Sequence, residues 1–164
     1  LAHDPRPLVL MTPKSLLRHP RALSSLADLT HGVFEPVLDD PRGTERRAAV
    51  TRLLLCSGKV YVDLLAAEGY DHAQSVAVAR LEEIYPFPDT RLRDLFSRYP
   101  HLTELCWVQE EPRNMSACSF VAPRLVEILP DGVSLRYVGR VDASSPAEGS
   151  TAAYLVEQAR IVSA

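Results

Sequence analysis

Arg52-Leu53-Leu54-Leu55-Cys56-Ser57-Gly58-Lys59-Val60-Tyr61-Val62-Asp63-Leu64 is the stretch on which the reading of the fold turns. Residues 52–56 form a compact apolar run, the signature of a short strand buried on both faces. Ser57-Gly58 breaks it, and residues 58–68 then place Val60, Leu64 and Ala67 on one stripe of a helix. A doubly buried strand followed by an amphipathic helix is the repeating unit of a parallel sheet covered by helices.

Outward from this unit, residues 8–11, 76–80, 105–109 and 134–138 give further strand-like runs rich in Leu and Val. Between them, residues 91–99 group Leu92, Leu95 and Phe96, with Asp89 as a cap and Pro100 just beyond the end. Residues 119–129 group Val121, Leu125 and Ile128 and stop before the turn signature Pro130-Asp131-Gly132. A last helix is predicted over residues 152–162. This alternation predicts an α/β three-layer sandwich with a mostly parallel sheet. Residues 39–47, with Pro41, Gly43 and many charges, read as an exposed loop.

The 164 residues, 46% of them hydrophobic, suit a single domain spanning 1–164 with one core. A net charge of -3 gives no broad positive field, so nucleic acid and anionic membrane are set aside as partners. No apolar run approaches the roughly 20 residues of a membrane-spanning helix. The start, Leu1-Ala2-His3-Asp4-Pro5, has neither an initiator Met nor a secretory pattern and reads as a point inside a longer chain. Cys56, Cys106 and Cys118 are odd in number and lack CxxC spacing, which favours a reducing cytoplasm over a disulfide framework or a zinc site.

No nucleophile elbow, Walker loop, HExxH or GxGxxG is present. Two segments stand out instead: Thr12-Pro13-Lys14-Ser15-Leu16-Leu17-Arg18 after the first predicted strand, and Cys56-Ser57-Gly58-Lys59 after the second. Only two of the 18 basic residues are lysines, and Lys14 and Lys59 both fall in these segments. At the carboxyl ends of parallel strands, hydroxyls, an ammonium and free helix amides suit a phosphate, and Arg18 adds a bidentate donor. The alternative is that Ser15 and Ser57 cap helices while the lysines form surface ion pairs.

Gln109-Glu110-Glu111-Pro112-Arg113-Asn114 ends the fourth strand with two carboxylates. Adjacent strand residues point to opposite faces, so Glu110 and Glu111 do not form a shared acid-base pair. Gln109, Glu110, Glu111 and Asn114 are instead expected to contact a neighbouring chain or loop. His3, His19, His31, His72 and His101 lie in tails, loops or helix ends without ligand spacing and read as solvated. Tyr85-Pro86-Phe87-Pro88 reads as a rigid connector whose rings pack under the adjoining helix.

Taken in order, the segments resemble the carboxy-terminal part of the decarboxylating subunit of 2-oxoglutarate dehydrogenases. The resemblance rests on Met11-Thr12-Pro13-Lys14-Ser15-Leu16-Leu17-Arg18-His19-Pro20, Cys56-Ser57-Gly58-Lys59-Val60-Tyr61 and Arg80-Leu81-Glu82-Glu83-Ile84-Tyr85-Pro86-Phe87-Pro88. Trp107-Val108-Gln109-Glu110-Glu111-Pro112, Pro123-Arg124-Leu125, Tyr137-Val138-Gly139-Arg140 and Ser144-Ser145-Pro146-Ala147 complete it. It implies a transketolase-like carboxy-terminal fold inside a longer, homodimeric subunit.

That subunit uses thiamine diphosphate and Mg²⁺ to decarboxylate 2-oxoglutarate and passes the succinyl group to a lipoyl-bearing succinyltransferase component. On this resemblance, cofactor, metal and catalytic residues belong to preceding domains and none to this chain, which is inactive alone and braces the dimer. Some bacterial members bind acetyl-CoA as an activator; Thr12, Lys14, Ser15, Arg18, Arg52, Ser57 and Lys59 are the residues here that would meet such an effector. Two departures are visible. Asn114-Met115-Ser116-Ala117-Cys118 lacks the family's usual Gly and nearby aromatic, and the common His before the final Glu-Gln is missing from residues 152–158.

The related 2-oxoadipate dehydrogenases are an alternative, suggested by Asn114-Met115 followed by Ser119-Phe120-Val121, and a free-standing acyl-CoA or nucleotide-binding module is another.

Overall fold

The structure, a computed structural model, describes residues 5–7 and 9–164. The chain divides into two units, Leu1–Gly32 and Val33–Ala164.

In the first unit, single 3-10 turns at Lys14–Leu16 and Pro20–Ala22 precede helix α1, Leu26–His31. A capping box starts α1: the Asp28 amide donates to Ser25 Oγ at 3.1 Å, and the Ser25 amide donates to Asp28 Oδ2 at 2.9 Å. Residues 9–11, the described part of the strand expected over residues 8–11, form no strand. Leu8 lies outside the described residues, and Val9, Leu10 and Met11 are 72–93% exposed. An apolar run becomes a strand only when a neighbouring strand takes its amides and carbonyls, and none pairs with these residues.

The second unit holds a five-stranded sheet of β1 (Val37–Leu38), β2 (Arg52–Cys56), β3 (Val76–Leu81), β4 (Glu104–Pro112) and β5 (Ser134–Arg140). Their order is β1-β3-β2-β4-β5, with β1 antiparallel and every other pairing parallel. Four of the five strands are those read from the sequence. The fifth, β1, is a two-residue edge after Pro36, too short to leave a periodic signal.

Helices α2 (Lys59–Ala66), α3 (Asp89–Ser97), α4 (Cys118–Ile128) and α5 (Thr151–Ser163) cover the sheet. Pro88, rather than Asp89, holds the cap position of α3. Strand alternation sends Leu53, Leu55, Ala79, Leu105 and Trp107 to one face, where they form the core with Leu92, Leu95, Val121 and Leu125 of α3 and α4. The opposite face carries Leu54, Cys56, Val78, Cys106, Val108 and Val138 towards α2 and α5. The result is the three-layer sandwich. Phe87 and Tyr85 meet Phe120 of α4 edge-on, with Phe87 half-buried and Tyr85 82% exposed, so only one of the two rings packs as expected.

Residues 39–47 are not the simple exposed loop that their charge suggests. Asp40 accepts from Arg42 Nη2 at 2.8 Å, from the Tyr70 hydroxyl at 3.0 Å and from the Val78 amide at 2.8 Å. Arg42 donates to the Ala73 carbonyl at 3.0 Å and lies over the Tyr70 ring, 4.0 Å from its centroid. Asp39 takes Arg47 at 2.7 Å, Arg98 at 3.2 Å and the Tyr99 hydroxyl. The two aspartates thus hold the segment between β1 and β2 against the β2–β3 crossover and the end of α3.

Burial pushes the Asp40 carboxyl up, but the Arg42 and Val78 hydrogen bonds outweigh it and leave the group below its ordinary value. Such a depressed acid stabilises the fold above its unfolded value and loses that contribution as pH falls through its folded one. Asp40→Ala leaves the Arg42 guanidinium, 12% exposed, without its carboxylate. We predict a loss of about 3–5 kcal/mol, read by urea unfolding at pH 7, with the difference from wild type shrinking in acid.

Candidate functional site

The carboxyl edge of β2 turns sharply into α2. Gly58 has φ 69°, a conformation that side chains disfavour, and this lets the chain reverse within two residues. Neither Ser57 nor any other side chain caps α2, and none caps the 3-10 turn that contains Ser15. The capping role considered for these serines is therefore absent.

Lys59 opens α2 and is enclosed by acceptors. Its ammonium pairs with Asp63 one turn on, lies 3.5 Å from Glu110 Oε1 of β4, and sits over the Tyr154 ring of α5 at 5.6 Å. Gln158 Nε2 donates to Asp63 Oδ2 at 2.7 Å, so α5 is tied into the same cluster. Burial pulls the Lys59 pKa down, but Asp63, Tyr154 and Glu110 outweigh it and the ammonium is held above its ordinary value. Burial pushes Glu110 up, Lys59 opposes this, and the Asp63 and Glu111 charges add to the rise. With one cation between two carboxylates, this cluster is already compensated. A phosphate arriving here would meet negative charge as well as positive.

Nearby, burial pushes the Cys56 thiol far up, which removes its nucleophilic form at neutral pH. Arg80 pairs with Glu82 and stacks 4.6 Å over the Tyr61 ring.

Arg52 is at the other edge of the sheet. It starts β2, in register with Val76 and Glu104, and pairs with Glu104. At strand spacing it is roughly 13 Å from Cys56 along β2, so the structure does not bring it to Ser57 and Lys59. Thr12, Lys14, Ser15 and Arg18 are exposed in the first unit, and Lys14 and Arg18 carry no ion pair among the described residues.

The strand-end motif on β4 works largely inside the domain. Gln109, 3% exposed, accepts from Trp107 Nε1 at 3.0 Å and donates to the carbonyls of Pro112 at 2.9 Å and Met115 at 3.0 Å. Asn114 donates to the Ala143 carbonyl at 3.0 Å and accepts from the Ala143 amide at 3.2 Å. Tyr137 donates to the Arg140 carbonyl at 3.0 Å. A Cβ on Gly139 would lie 2.3 Å from the Tyr137 hydroxyl, which explains a glycine in Tyr137-Val138-Gly139-Arg140. Ser116 has φ 60°, in the left-handed region that side chains disfavour.

Asp63 was open to detection as the i,i+4 partner of Lys59. Tyr154 and Gln158, more than 90 residues further on, leave no such local signal. Among the described residues no group of three or more His, Cys, Asp or Glu could hold a metal. No helix in them is long and apolar enough to cross a membrane. His19 accepts from the Arg21 amide at 3.2 Å, while His31, His72 and His101 are exposed and His3 lies outside the described residues.

Fold and site together define an α/β sandwich domain whose strand-end residues are spent on its own loops and helices. The chain belongs to the family described as "2-oxoglutarate dehydrogenase C-terminal", which matches residues 23–164. It is 47% identical over 161 residues to a 2-oxoglutarate dehydrogenase E1 component of Geobacillus sp. (strain WCH70) and 45% identical over 165 residues to that of Bacillus subtilis (strain 168). These alignments take in 96% and 99% of this chain but only 17% and 18% of the relatives, so it spans less than a fifth of their length.

Two predictions follow from this geometry. Lys59→Met removes the cation that opposes the rise of the Glu110 carboxyl, pushes that group further up and costs about 1–2 kcal/mol, between exposed and buried pairs. Raised acids stabilise at low pH, so the loss measured by urea unfolding grows from pH 5 to pH 8. Ser116→Gly removes a left-handed strain of about 1–2 kcal/mol but adds unfolded-state freedom, and a rise in Tm is expected.

Proposed function

We propose that this chain is the carboxy-terminal domain of a longer, homodimeric subunit that decarboxylates 2-oxoglutarate with thiamine diphosphate and Mg²⁺. The succinyl group then passes to a lipoyl-bearing succinyltransferase component. The observation that carries this reading is near-complete alignment of the chain, at 45–47% identity, to a small fraction of E1 components. On this reading thiamine diphosphate and Mg²⁺ are held by preceding domains of the subunit and not by this domain. Its part is structural. The packed β4 loop and the α2–α5 cluster give the subunit a rigid wall.

An effector role rests on the first unit. The exposed Thr12, Lys14, Ser15 and Arg18, with no carboxylate paired to Lys14 or Arg18 among the described residues, suit the phosphates of acetyl-CoA better than the compensated Lys59.

The test uses an antibody against this sequence in its source cells. A polypeptide several times longer than 164 residues, active on 2-oxoglutarate only with thiamine diphosphate, is the expected result. A band of about this length refutes it. In that longer subunit, Arg18→Ala should weaken acetyl-CoA binding about tenfold or more, the worth of a charge-assisted hydrogen bond, whereas Lys59→Ala should leave it within about twofold. Equal loss in both would place the phosphates at the α2 edge instead.

A further inference from the structure

Helix α5 is the least firmly packed of the four that cover the sheet. Of its residues 151–163 only Ile161 is buried, whereas α2 buries Val60, Tyr61, Val62, Leu64 and Leu65 in a shorter span. Leu155 and Val156 of α5 are exposed and add nothing to its docking. Beneath it, a cavity of about 630 Å³ lies between Ile161 and the sheet residues Cys106, Val108 and Val138. Packed interiors leave few voids larger than a water molecule, so α5 rests on the sheet without the close apolar contact that holds α3 and α4 to the other face.

What holds the helix is polar and confined to a few points. Gln158 donates to Asp63 of α2, Tyr154 faces the Lys59 ammonium, and Arg160 Nη2 donates to the Gly139 carbonyl at 2.9 Å. The loop that leads into α5 is anchored separately. Asn114 exchanges two hydrogen bonds with Ala143, and Arg140 donates to the Pro146 carbonyl at 3.1 Å and pairs with Glu148 at 2.5 Å. That anchoring ends at the half-buried Glu148. The next residue, Gly149, is exposed with open space around it, and Ser150 then caps the helix. One glycine therefore separates a fixed loop from a loosely held helix, at the position where backbone rotation meets least resistance.

We propose that α5 is a hinged cover, which pivots at Gly149 and lifts from the sheet as a unit when the Gln158–Asp63 latch opens, while β2 to β5 and α2 to α4 stay folded. Segments with few buried apolar contacts open at free energies below that of global unfolding. Lifting α5 breaks the three polar contacts and uncovers Ile161, but the cavity already separates most of the helix from the sheet. The rest of the cluster keeps its charge balance, because Lys59 retains Asp63 and Glu110 on α2 and β4. Opening exposes Cys106, Val108 and Val138. Cys56, fully buried and outside the cavity lining, stays covered. The device is independent of the proposed function.

Alkylation of the full chain by iodoacetamide under native conditions, followed thiol by thiol through peptide mass mapping, tests this. The thiolate is the reacting form, and burial pushes the Cys106 thiol up to about 11 and the Cys56 thiol further, so each is labelled through opening. Cys106 is expected to react roughly tenfold or more faster than Cys56, because it needs only the lesser opening. Gln158→Ala should speed Cys106 about tenfold more, the worth of a hydrogen bond to a charged group, and leave Cys56 unchanged. Glu148→Gln, on the fixed side of the pivot, should leave both rates within about twofold. Three outcomes overturn the proposal. Equal rates for Cys106 and Cys56 would mean that α5 leaves only with the whole fold. A Cys106 rate that Gln158→Ala does not raise, or raises together with Cys56, would remove the latch. Acceleration of Cys106 by Glu148→Gln would move the pivot upstream of Gly149.

Discussion

The amide of Gln109 is the contact on which the carboxyl edge of this domain depends. It is buried on the interior strand β4, one side occupied by the Trp107 indole and the other by loop carbonyls that follow the strand. A buried amide of this kind must have its donors and acceptor met, or the cost reaches 1–3 kcal/mol per group. Meeting them fixes the path of residues 109–115. That path sets where Asn114 grips Ala143 and where α4 begins, and so positions the helix that covers Trp107 from the other side.

A second constraint is charge compensation. The domain buries or half-buries several cations, and nearly every one has carboxylate or carbonyl partners: Arg42 with Asp40, Arg47 with Asp39, Lys59 with Asp63 and Glu110, Arg140 with Glu148. Of these pairs Lys59–Glu110 joins segments distant in sequence and the others lie within eight residues, and in each the desolvation of one partner is offset by the other. A domain wired in this way is suited to hold position within a larger assembly. Within it the Cys56 thiol is held protonated by burial and the Glu110 carboxylate is shared with Lys59.

The strands β2 to β5 and the helices α2 to α5 were legible to within a few residues because each carries its own periodicity and ends in its own breaker. Gly58 after β2 and Pro130-Asp131-Gly132 after α4 are examples, and Gly132 takes the positive φ that the turn needs. Residues 8–11 misled for a related reason. Their composition is that of a strand, but a strand is a pairing between segments, and composition does not name the partner. The charged stretch 39–47 misled in the opposite direction, since charge density reports a preference for water only when no buried partner exists.

By itself, then, the sequence determined the layer architecture and the family, because hydrophobic period, turn residues and ordered motifs are local and are written in consecutive residues. Only the tertiary structure decided that Lys59 is neutralised, that Arg52 stands at the opposite edge from Ser57, that Gln109 faces inward and that a cavity lies under α5. The surroundings of Lys59 depend on residues brought together from tens of positions apart, as Gln158 is to Asp63 across 95. Which cation meets which carboxylate across such a span is settled by packing, and no local pattern encodes it.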